Sequence, residues 1–349
     1  MTRIIKSCST RSFRKGLKAL SLLLAAALLA ACGSTRAAEP RTLRVGVAVY
    51  LQSDTFISTL VKELEKLAQA RESTDGMKIN LNVVDGRGSQ LTQTEQIDRL
   101  IALDYDVLCV NIVDRTSTAQ LIDKAKEADI PVIFFNREPV AEDLHRWEKV
   151  YYVGAKAEES GVLQGQILLD RWLNADPPVD KNGDGVMQYV MLEGEPGHQD
   201  AMLRTEYAVK TITDAGVAVE KLASDTANWK RGQAMAKARQ WLDEGLGGAI
   251  EVVFANNDDM ALGAIDAFRE AGADLPLVVG VDATAPALEA VEAGELYGTV
   301  HNDGAGIARA MLDLVLALAE DRDPAEAAEL EDGHYVWLPY RTVTARDLE

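Results

Sequence analysis

The chain has 349 residues, and its 55 acidic side chains outnumber its 36 basic ones, which gives a formal net charge of −19 at pH 7. A surface of this sign repels nucleic acid and anionic lipid head groups, so functions that require binding to polyanions lose most of their support. The length exceeds what one hydrophobic core usually organises, which favours two lobes.

The first 31 residues predict a bacterial signal peptide. Six basic side chains between Arg3 and Lys18 precede the apolar stretch Ala19–Ala31, which is too short to span a membrane. Leu29-Ala-Ala-Cys32 resembles a lipobox, in which the cysteine is lipidated and the chain is cleaved just before it. The alternative is an ordinary secretory signal with a chance cysteine. We expect lipidation at Cys32, a tether over residues 32–42, and a lipid anchor as the sole membrane attachment.

The leader predicts an extracytoplasmic location, either the periplasm or the outer face of the cell membrane. Cys8 lies in the leader and Cys32 is the candidate anchor, so Cys109 remains alone in an apolar run. An intramolecular disulfide is therefore not expected, and Cys109 is interpreted as a small core residue.

From Leu43 onward, short apolar runs alternate with patterns of helical period. The predicted strands are Val45–Tyr50, Lys78–Val84, Val107–Ile112, Ile130–Phe135, Met187–Leu192, Val217–Ala223, Val252–Ala255, Leu277–Val281 and Gly298–Val300. The predicted helices are Phe56–Glu72, Leu91–Leu103, Thr118–Ala128, Glu158–Trp172, Ala201–Ala215, Gly232–Glu244, Met260–Ala271 and Ile307–Ala319. Such alternation is typical of α/β proteins with parallel sheets, and uniformly apolar strands indicate helices on both sheet faces.

Polar or aromatic side chains follow six of these apolar runs. In an open parallel sheet, ligands bind in the crevice beyond the carboxyl ends of the strands. The candidates with hydrogen-bonding groups are Asp54, Asn136, His198, Asp200, Arg204, Asn257, Asp282 and Asn302, and the aromatic candidates for the two faces of a sugar ring are Phe56 and Trp229. Taken singly, each could be a loop residue, a helix cap or part of the core. Their convergence predicts a site for a small polyhydroxylated molecule.

The segment from Asp180 to Gln188 predicts a calcium loop. Asp180, Asn182 and Asp184 offer oxygen ligands at alternate positions, a glycine follows at the sixth position, and Val186 at the seventh would contribute its carbonyl. A true EF-hand has a glutamate at position twelve, where this chain has Met191. Solvated turns explain many such loops without a metal, and the missing carboxylate would have to come from elsewhere.

Signatures of enzymes are weak. Gly86-Arg-Gly88 lacks the third glycine of a dinucleotide fingerprint, and the four histidines show no metal-ligand spacing. The chain contains neither a Gly-x-Ser-x-Gly elbow nor a Walker loop. Carboxylates at sugar-binding strand ends could in principle hydrolyse a glycoside, but the sequence gives no separation between them. We expect a binding protein rather than an enzyme.

From about Leu43 to Val343 the chain resembles the periplasmic galactose/glucose-binding proteins of bacterial ABC importers, which belong to the type I periplasmic binding protein family. The resemblance is carried by Ile-Pro-Val-Ile-Phe-Phe-Asn136-Arg-Glu-Pro, Tyr-Tyr-Val-Gly154 and Glu-Gly-Glu-Pro-Gly-His198-Gln-Asp200, and by Ala-Asn-Asn257-Asp, Gly-Val-Asp282-Ala and Thr-Val-His-Asn302-Asp. It departs from the family at Gln52, Ser53 and Thr55, around Asp54, and at His301, where the family is more often apolar.

The resemblance implies two Rossmann-like lobes joined by three crossings near residues 154, 302 and 338. The N-terminal lobe would comprise 43–154 plus 302–338, and the C-terminal lobe 155–301 plus 339–349. It further implies that the eight polar candidates bind sugar hydroxyls and the ring oxygen, that Phe56 and Trp229 sandwich the ring, and that Asp54 can accept from either C4 epimer.

The same resemblance implies a structural Ca²⁺ bound by Asp180, Asn182, Asp184, Val186, Gln188 and, from another strand, Glu251. The expected function is capture of D-galactose or D-glucose by hinge closure and delivery to the permease subunits of an ABC transporter. The alternative is a sensor that presents its closed form to a chemoreceptor or a sensor kinase. We expect a monomer that does not bind nucleic acid.

Overall fold

The structure is a computed structural model, and it describes residues 42–75, 77–174 and 179–348. The predicted signal peptide, Cys32 and nearly all of the tether lie outside the described residues, so these remain predictions. Within the described ranges, no helix combines the length and the apolar character that crossing a membrane requires.

Twelve strands and eleven α-helices make up the described chain. The strands are β1 (Thr42–Val49), β2 (Lys78–Asp85), β3 (Val107–Val110), β4 (Val132–Phe135), β5 (Val150–Gly154), β6 (Val186–Glu193), β7 (Ala218–Thr226), β8 (Val252–Ala255), β9 (Leu277–Asp282), β10 (Gly298–His301), β11 (Tyr335–Trp337) and β12 (Arg341–Thr344). The helices are α1 (Thr55–Asp75), α2 (Gln90–Ala102), α3 (Thr118–Glu127), α4 (Ala141–Leu144), α5 (Ala157–Asn174), α6 (Gln199–Asp214), α7 (Arg231–Asp243), α8 (Asp258–Ala271), α9 (Ala285–Glu292), α10 (Gly304–Ala319) and α11 (Ala345–Leu348).

These strands form two sheets of six, one in each lobe. The order is β11-β5-β4-β3-β1-β2 in the first and β12-β10-β9-β8-β6-β7 in the second, and every pairing is parallel except that of β10 with β12. The predicted fold class, α/β with two parallel-sheet lobes, is therefore confirmed.

Burial explains why the central strands are apolar throughout. All four residues of β3, β4 and β8 are buried, because helices cover both faces of each sheet. In the first lobe α10 packs on α1, and in the second α5 packs on α6. Four apolar clusters result, two in each lobe.

The chain passes between the lobes at three places, from β5 to α5, from β10 to α10, and from β11 to β12. The first and third crossings are tied together, since Leu338 N donates to Gly154 O at 2.8 Å. At the second crossing, Asn302 N donates to Asp282 O at the end of β9 at 3.3 Å. The carboxyl ends of both sheets face the cleft that these crossings bound.

The structure adds elements that the periodicity did not indicate. Val150–Gly154 is a buried strand as well as the approach to a crossing, and it pairs with β4 and β11. Ala285–Glu292 is a helix that was not predicted. Helix α8 begins two residues before the predicted Met260, because the side chain of Asn257 caps it and accepts from Met260 N at 3.0 Å.

Candidate functional site

A small cavity between the lobes gathers nine of the ten predicted sugar ligands. They are Asp54, Phe56, Asn136, His198, Asp200, Arg204, Trp229, Asn257 and Asp282. The volume open to the centre of a water molecule is about 40 Å³. Such a cavity suits one small ligand rather than a long oligosaccharide.

Asn302, the tenth candidate, lies immediately behind this cavity. It is 4 % exposed, and its Nδ2 donates to Asp282 Oδ1 at 3.3 Å. Its Oδ1 is buried and has no hydrogen-bond partner among the described residues. Leaving a buried acceptor unpaired costs free energy, so this oxygen would gain from a hydroxyl of a ligand that donates to it.

Strand ends and helix starts position the polar candidates. Asp54 accepts from Ile57 N at 2.9 Å at the start of α1, and Asn257 caps α8. Asn136 has φ 61° and Asp282 has φ 119°, a backbone region that L-residues rarely adopt. Trp229 is similar, with φ 63°. Strained residues of this kind cluster at ligand sites, where the surrounding structure holds them.

Arg204 is a rigid element of the site. It is 4 % exposed, and its guanidinium donates to Asp200 Oδ2 at 3.0 Å and to Asn256 O at 2.9 Å. Further donations reach Ser160 Oγ at 3.0 Å and Tyr340 Oη at 3.1 Å. Because four partners fix the planar fork, its orientation is set before a ligand arrives.

His198 is neutral at physiological pH and presents a donor to the cavity. Burial, reinforced by Arg137 and Arg204, holds its pKa well below the usual range. Its Nδ1 accepts from Asp200 N at 3.1 Å, so the proton of the neutral ring resides on Nε2. The ring also meets Trp229 edge to face, with 5.1 Å between the centroids.

Burial destabilises the charged forms of Asp200 and Asp282, the two carboxylates that the second lobe contributes to the cavity. Burial raises the pKa of Asp282 well above its usual range, and Arg204 opposes this only in part. Burial also raises the pKa of Asp200, against the attraction of Arg204 and Arg137. Both groups gain from any hydroxyl that donates to them, because such a bond replaces lost hydration.

The two predicted aromatic faces come from opposite lobes. Phe56 is on α1, whereas Trp229 lies between β7 and α7 in the second lobe. Gly194 permits the position of Trp229, since a Cβ at residue 194 would lie 2.2 Å from the indole ring. Trp229 Nε1 is buried and unpartnered within the described ranges, which leaves a free donor next to the cavity.

Sequence reasoning missed three residues that line the cavity, Tyr50, Ile57 and Arg137. Tyr50 Oη donates to Asp54 Oδ2 at 2.5 Å. Arg137 Nη2 donates to Glu195 Oε2 across the cleft at 2.8 Å. Tyr50 ends a predicted strand and Arg137 follows Asn136, so both positions were available in the sequence. The contacts that reveal their roles were not.

The predicted calcium loop follows residues 175–178, which the structure does not describe, and its polar groups are internally bonded. Asp180 accepts from Gly183 N at 2.7 Å and from Gly185 N at 2.8 Å. Asp184 Oδ1 accepts from Val186 N at 2.8 Å, and Asn182 Nδ2 donates to Asp184 Oδ2 at 2.9 Å. The loop is therefore closed and compact.

Glu251 ties this loop to strand β8 of the second lobe. It is 1 % exposed, and its carboxylate accepts from Lys181 N at 2.5 Å and from Gln188 N at 3.0 Å. Gln188 Oε1 is buried and lacks a partner in the described chain. No group of three or more His, Cys, Asp or Glu side chains in residues 42–75, 77–174 and 179–348 is arranged to hold a metal. A cation here would depend on amide and carbonyl oxygens as well as carboxylates, a donor set that Ca²⁺ accepts.

Comparison with known proteins places the chain in a family. Residues 45–323 match the model of the periplasmic binding protein domain. The chain is 38% identical over 326 residues to the D-galactose/methyl-galactoside binding periplasmic protein MglB of Haemophilus influenzae, covering 93% of this chain and 96% of that protein. It is 31% identical over 296 residues to a xylitol-binding protein of Mycolicibacterium smegmatis, covering 84% and 78% of the two chains.

Solved structures agree. An ABC transporter solute binding protein from Bacillus halodurans, with bound myo-inositol, superposes with a TM-score of 0.73 at 26% identity, covering 90% of this chain and 98% of that one. The chain therefore belongs to the family of periplasmic binding proteins, as an extracytoplasmic sugar-binding component of ABC importers and not an enzyme.

Proposed function

We propose that this protein is a lipid-anchored binding protein that captures one molecule of D-galactose or D-glucose between its lobes and delivers it to the permease subunits of an ABC transporter. The observation that carries the proposal is the convergence of nine of the ten predicted ligands on one cavity. The 38% identity to a D-galactose/methyl-galactoside binding protein supports the choice of sugar.

Capture depends on both lobes, because each contributes half of the contacts. Six of the twelve lining residues come from the first lobe, among them Asp54, Phe56 and Asn136, and the other six come from the segment His198–Asp282 of the second. A sugar that touches both halves binds the closed form better than the open form, and this differential affinity shifts the population toward closure.

The polar groups are complementary to a hexose. Asp54, Asp200 and Asp282 supply acceptors, His198 Nε2 supplies a donor, and Asn302 Oδ1 is an acceptor without a partner. A sugar that lacks a hydroxyl at one of these groups leaves a buried polar atom unpaired, at about 1–3 kcal/mol. Discrimination by hydroxyl position follows from this cost.

The required affinity is physically modest. A hexose has about 12 heavy atoms, and a Kd near 1 μM corresponds to about 8 kcal/mol, which is about 0.7 kcal/mol per atom. This value lies well inside the ceiling known for small ligands. Micromolar or tighter binding needs no further contact.

Within the same proposal, the loop from Asp180 to Gln188 holds a structural Ca²⁺ together with Glu251. The unpartnered Gln188 Oε1 supports this assignment, because a buried amide oxygen without a donor is a ready ligand for a hard cation. The ion would fasten the loop to β8, so its role is to stabilise the second lobe. The carboxylates that accept from backbone amides retain lone pairs for it.

The test is a calorimetric titration of the purified protein, freed of any co-purified sugar, with D-galactose and D-glucose in parallel. D-ribose serves as the matched control, since it presents fewer hydroxyl groups to the same site. We expect one-to-one binding of a hexose at micromolar Kd or tighter, with no heat from ribose. Absence of heat from both hexoses on folded protein would overturn the proposal.

A further inference from the structure

A second and larger cavity adjoins the sugar site in the same cleft. Its volume open to the centre of a water molecule is about 460 Å³, against about 40 Å³ for the inner cavity. Arg137, His198 and Asp200 line both spaces, so the two cavities share a wall. We call the larger space the outer cavity.

The outer cavity is bounded by both lobes. Residues 113–116 and 137–138 line it from the first lobe, and residues 195–200 line it from the second. Gln199 Nε2 donates to Glu138 Oε2 at 2.9 Å across the space. Its walls are therefore brought together by the same closure that completes the inner cavity, so a ligand in the outer cavity also favours the closed form.

The walls of the outer cavity carry side chains of both charges. Arg115 is fixed by donations to Glu138 O at 3.0 Å and Pro139 O at 3.1 Å, and it stands among the carboxylates of Asp114 and Glu138. Gln199 Oε1 is buried and has no partner in the part of the chain that the structure describes. Walls of mixed charge with a free amide acceptor suit a neutral hydroxylated group better than an ion of either sign.

An ion pair marks the border between the cavities. Arg137 lines both, whereas Glu195 lines only the outer one, and the two side chains meet at 2.8 Å. The Arg137 side chain is 5% exposed and that of Glu195 is 33% exposed. Glu195 is thus the freer partner, and rotation of its side chain would release Arg137, which forms part of the wall between the inner and outer cavities.

We propose that the outer cavity is a second sugar subsite, so that the protein also takes hexosides whose substituent is itself a hydroxylated ring. The inner cavity holds one hexose, and the outer cavity holds the group joined to it. The inference rests on the proposed function and widens its substrate class from monosaccharides to disaccharides.

The experiment compares a monosaccharide with two disaccharides on the purified protein. Lactose and melibiose together carry the second ring at C1 in both configurations, and at C4 and C6. Each is titrated calorimetrically beside D-galactose and D-glucose, and each is then tested for competition with the bound monosaccharide. We expect at least one disaccharide to bind one-to-one, to compete, and to have a Kd within roughly tenfold of the monosaccharide value.

Two variants fill the outer cavity without touching the inner one. Thr116→Trp and Pro196→Trp place a large ring at exposed positions that line only the outer of these two cavities. Thr213→Trp places the same ring at an exposed position at the far end of α6 and is the matched control. We expect the first two to weaken disaccharide binding by roughly tenfold or more with little change for the monosaccharide. The control should change neither.

The outcomes separate the two proposals. Monosaccharide binding with no response to either disaccharide at millimolar concentration would overturn the subsite and leave the proposed function standing. Disaccharide binding that both folded tryptophan variants leave unchanged would also overturn the subsite. Absence of binding of all four sugars would overturn both proposals. Binding of a disaccharide alone would support the subsite and remove the monosaccharide from the proposed function.

Discussion

The guanidinium carbon of Arg137 lies 3.5 Å from the centroid of the Tyr50 ring. The same guanidinium reaches Glu195 of the opposite lobe, and Tyr50 donates its hydroxyl to Asp54 at 2.5 Å. One aromatic ring therefore supports both a contact across the cleft and a candidate sugar ligand. Stacking of this kind holds an arginine in one orientation, because the flat guanidinium lies against the ring face.

Tyr50→Phe should weaken hexose binding about tenfold, because a hydrogen bond to a charged group contributes about 1.5–3 kcal/mol and part of that orients Asp54. The ring under Arg137 remains. Tyr105→Phe is the matched control, since Arg44 lies 4.5 Å from that ring and the Tyr105 hydroxyl accepts from Asn82 at 2.9 Å, outside the cavity. Calorimetry measures both. Equal losses in the two variants would contradict a role for Tyr50 in positioning Asp54.

Gly194→Ala should displace the Trp229 ring, because the added Cβ would lie 2.2 Å from it. We expect hexose binding to weaken by at least about tenfold, since the ring supplies one apolar face of the site. Gly232→Ala is the control, because a Cβ there meets nothing within 4 Å. Tryptophan fluorescence and calorimetry report the change. Unchanged affinity in Gly194→Ala would exclude Trp229 as a stacking face.

Removal of calcium should lower the melting temperature and leave the sugar stoichiometry at one. Saturation of a site at one hundred times its Kd contributes about 2.7 kcal/mol, so chelation should lower the melting temperature by about 5 °C or more. Glu251→Gln should abolish this response, whereas Asp274→Asn, at an exposed residue, should retain it. A melting temperature that changes neither with a chelator nor with added Ca²⁺ would rule out the structural ion.

Stability should fall as the pH rises from about 4 to about 7, through the buried Asp258. Burial raises the pKa of this carboxyl to about 7, whereas an unfolded chain titrates near about 4. Within this window the folded protein holds a proton that the unfolded chain has released. The free energy of unfolding therefore falls by up to about 1.4 kcal/mol per pH unit, and it levels off above pH about 7.

The measurement is chemical denaturation of the sugar-free protein at several pH values, compared with Asp258→Asn. The asparagine keeps an acceptor for the Thr299 hydroxyl, which donates to Asp258 Oδ1 at 2.6 Å. We expect the difference in unfolding free energy between the two proteins to change across the window. A constant difference would show that Asp258 has an ordinary pKa.

Local pattern was enough to find most of the cavity. Asp282 ends β9, Asn136 directly follows β4 and Asp54 lies in the loop after β1, and the topology of a parallel sheet brings such strand ends to one edge. Tyr50 escaped because it reads as the last apolar residue of a strand, although its partner Asp54 is only four residues away. Arg137 escaped because its partner Glu195 is on the other lobe. Contacts that exist only between closed lobes leave no periodic signal in the chain.

The same distinction between local pattern and long-range contact holds for the strands and helices. The alternation of apolar runs and helical patterns predicts the sheets, but it indicates only a crossing at β5, a strand that pairs with β11 more than 180 residues later. Helix starts were predicted late where a side chain caps the helix, as Asn257 does for α8. The spacing of residues in the calcium loop could not identify Glu251 as a ligand. That side chain comes from a distant segment and accepts from Lys181 N.

The left-handed backbone at Asn136, Trp229 and Asp282 limits how this cleft can be redesigned. At those three positions a β-branched or bulky replacement adds backbone strain to any change in chemistry, so libraries that randomise them will contain many destabilised members. His198, with φ −75°, and Asn257, with φ −148°, have ordinary backbones, so exchanging them adds no backbone strain and costs only the helix cap that each side chain provides. A biosensor for a new sugar should therefore be sought by varying those two first.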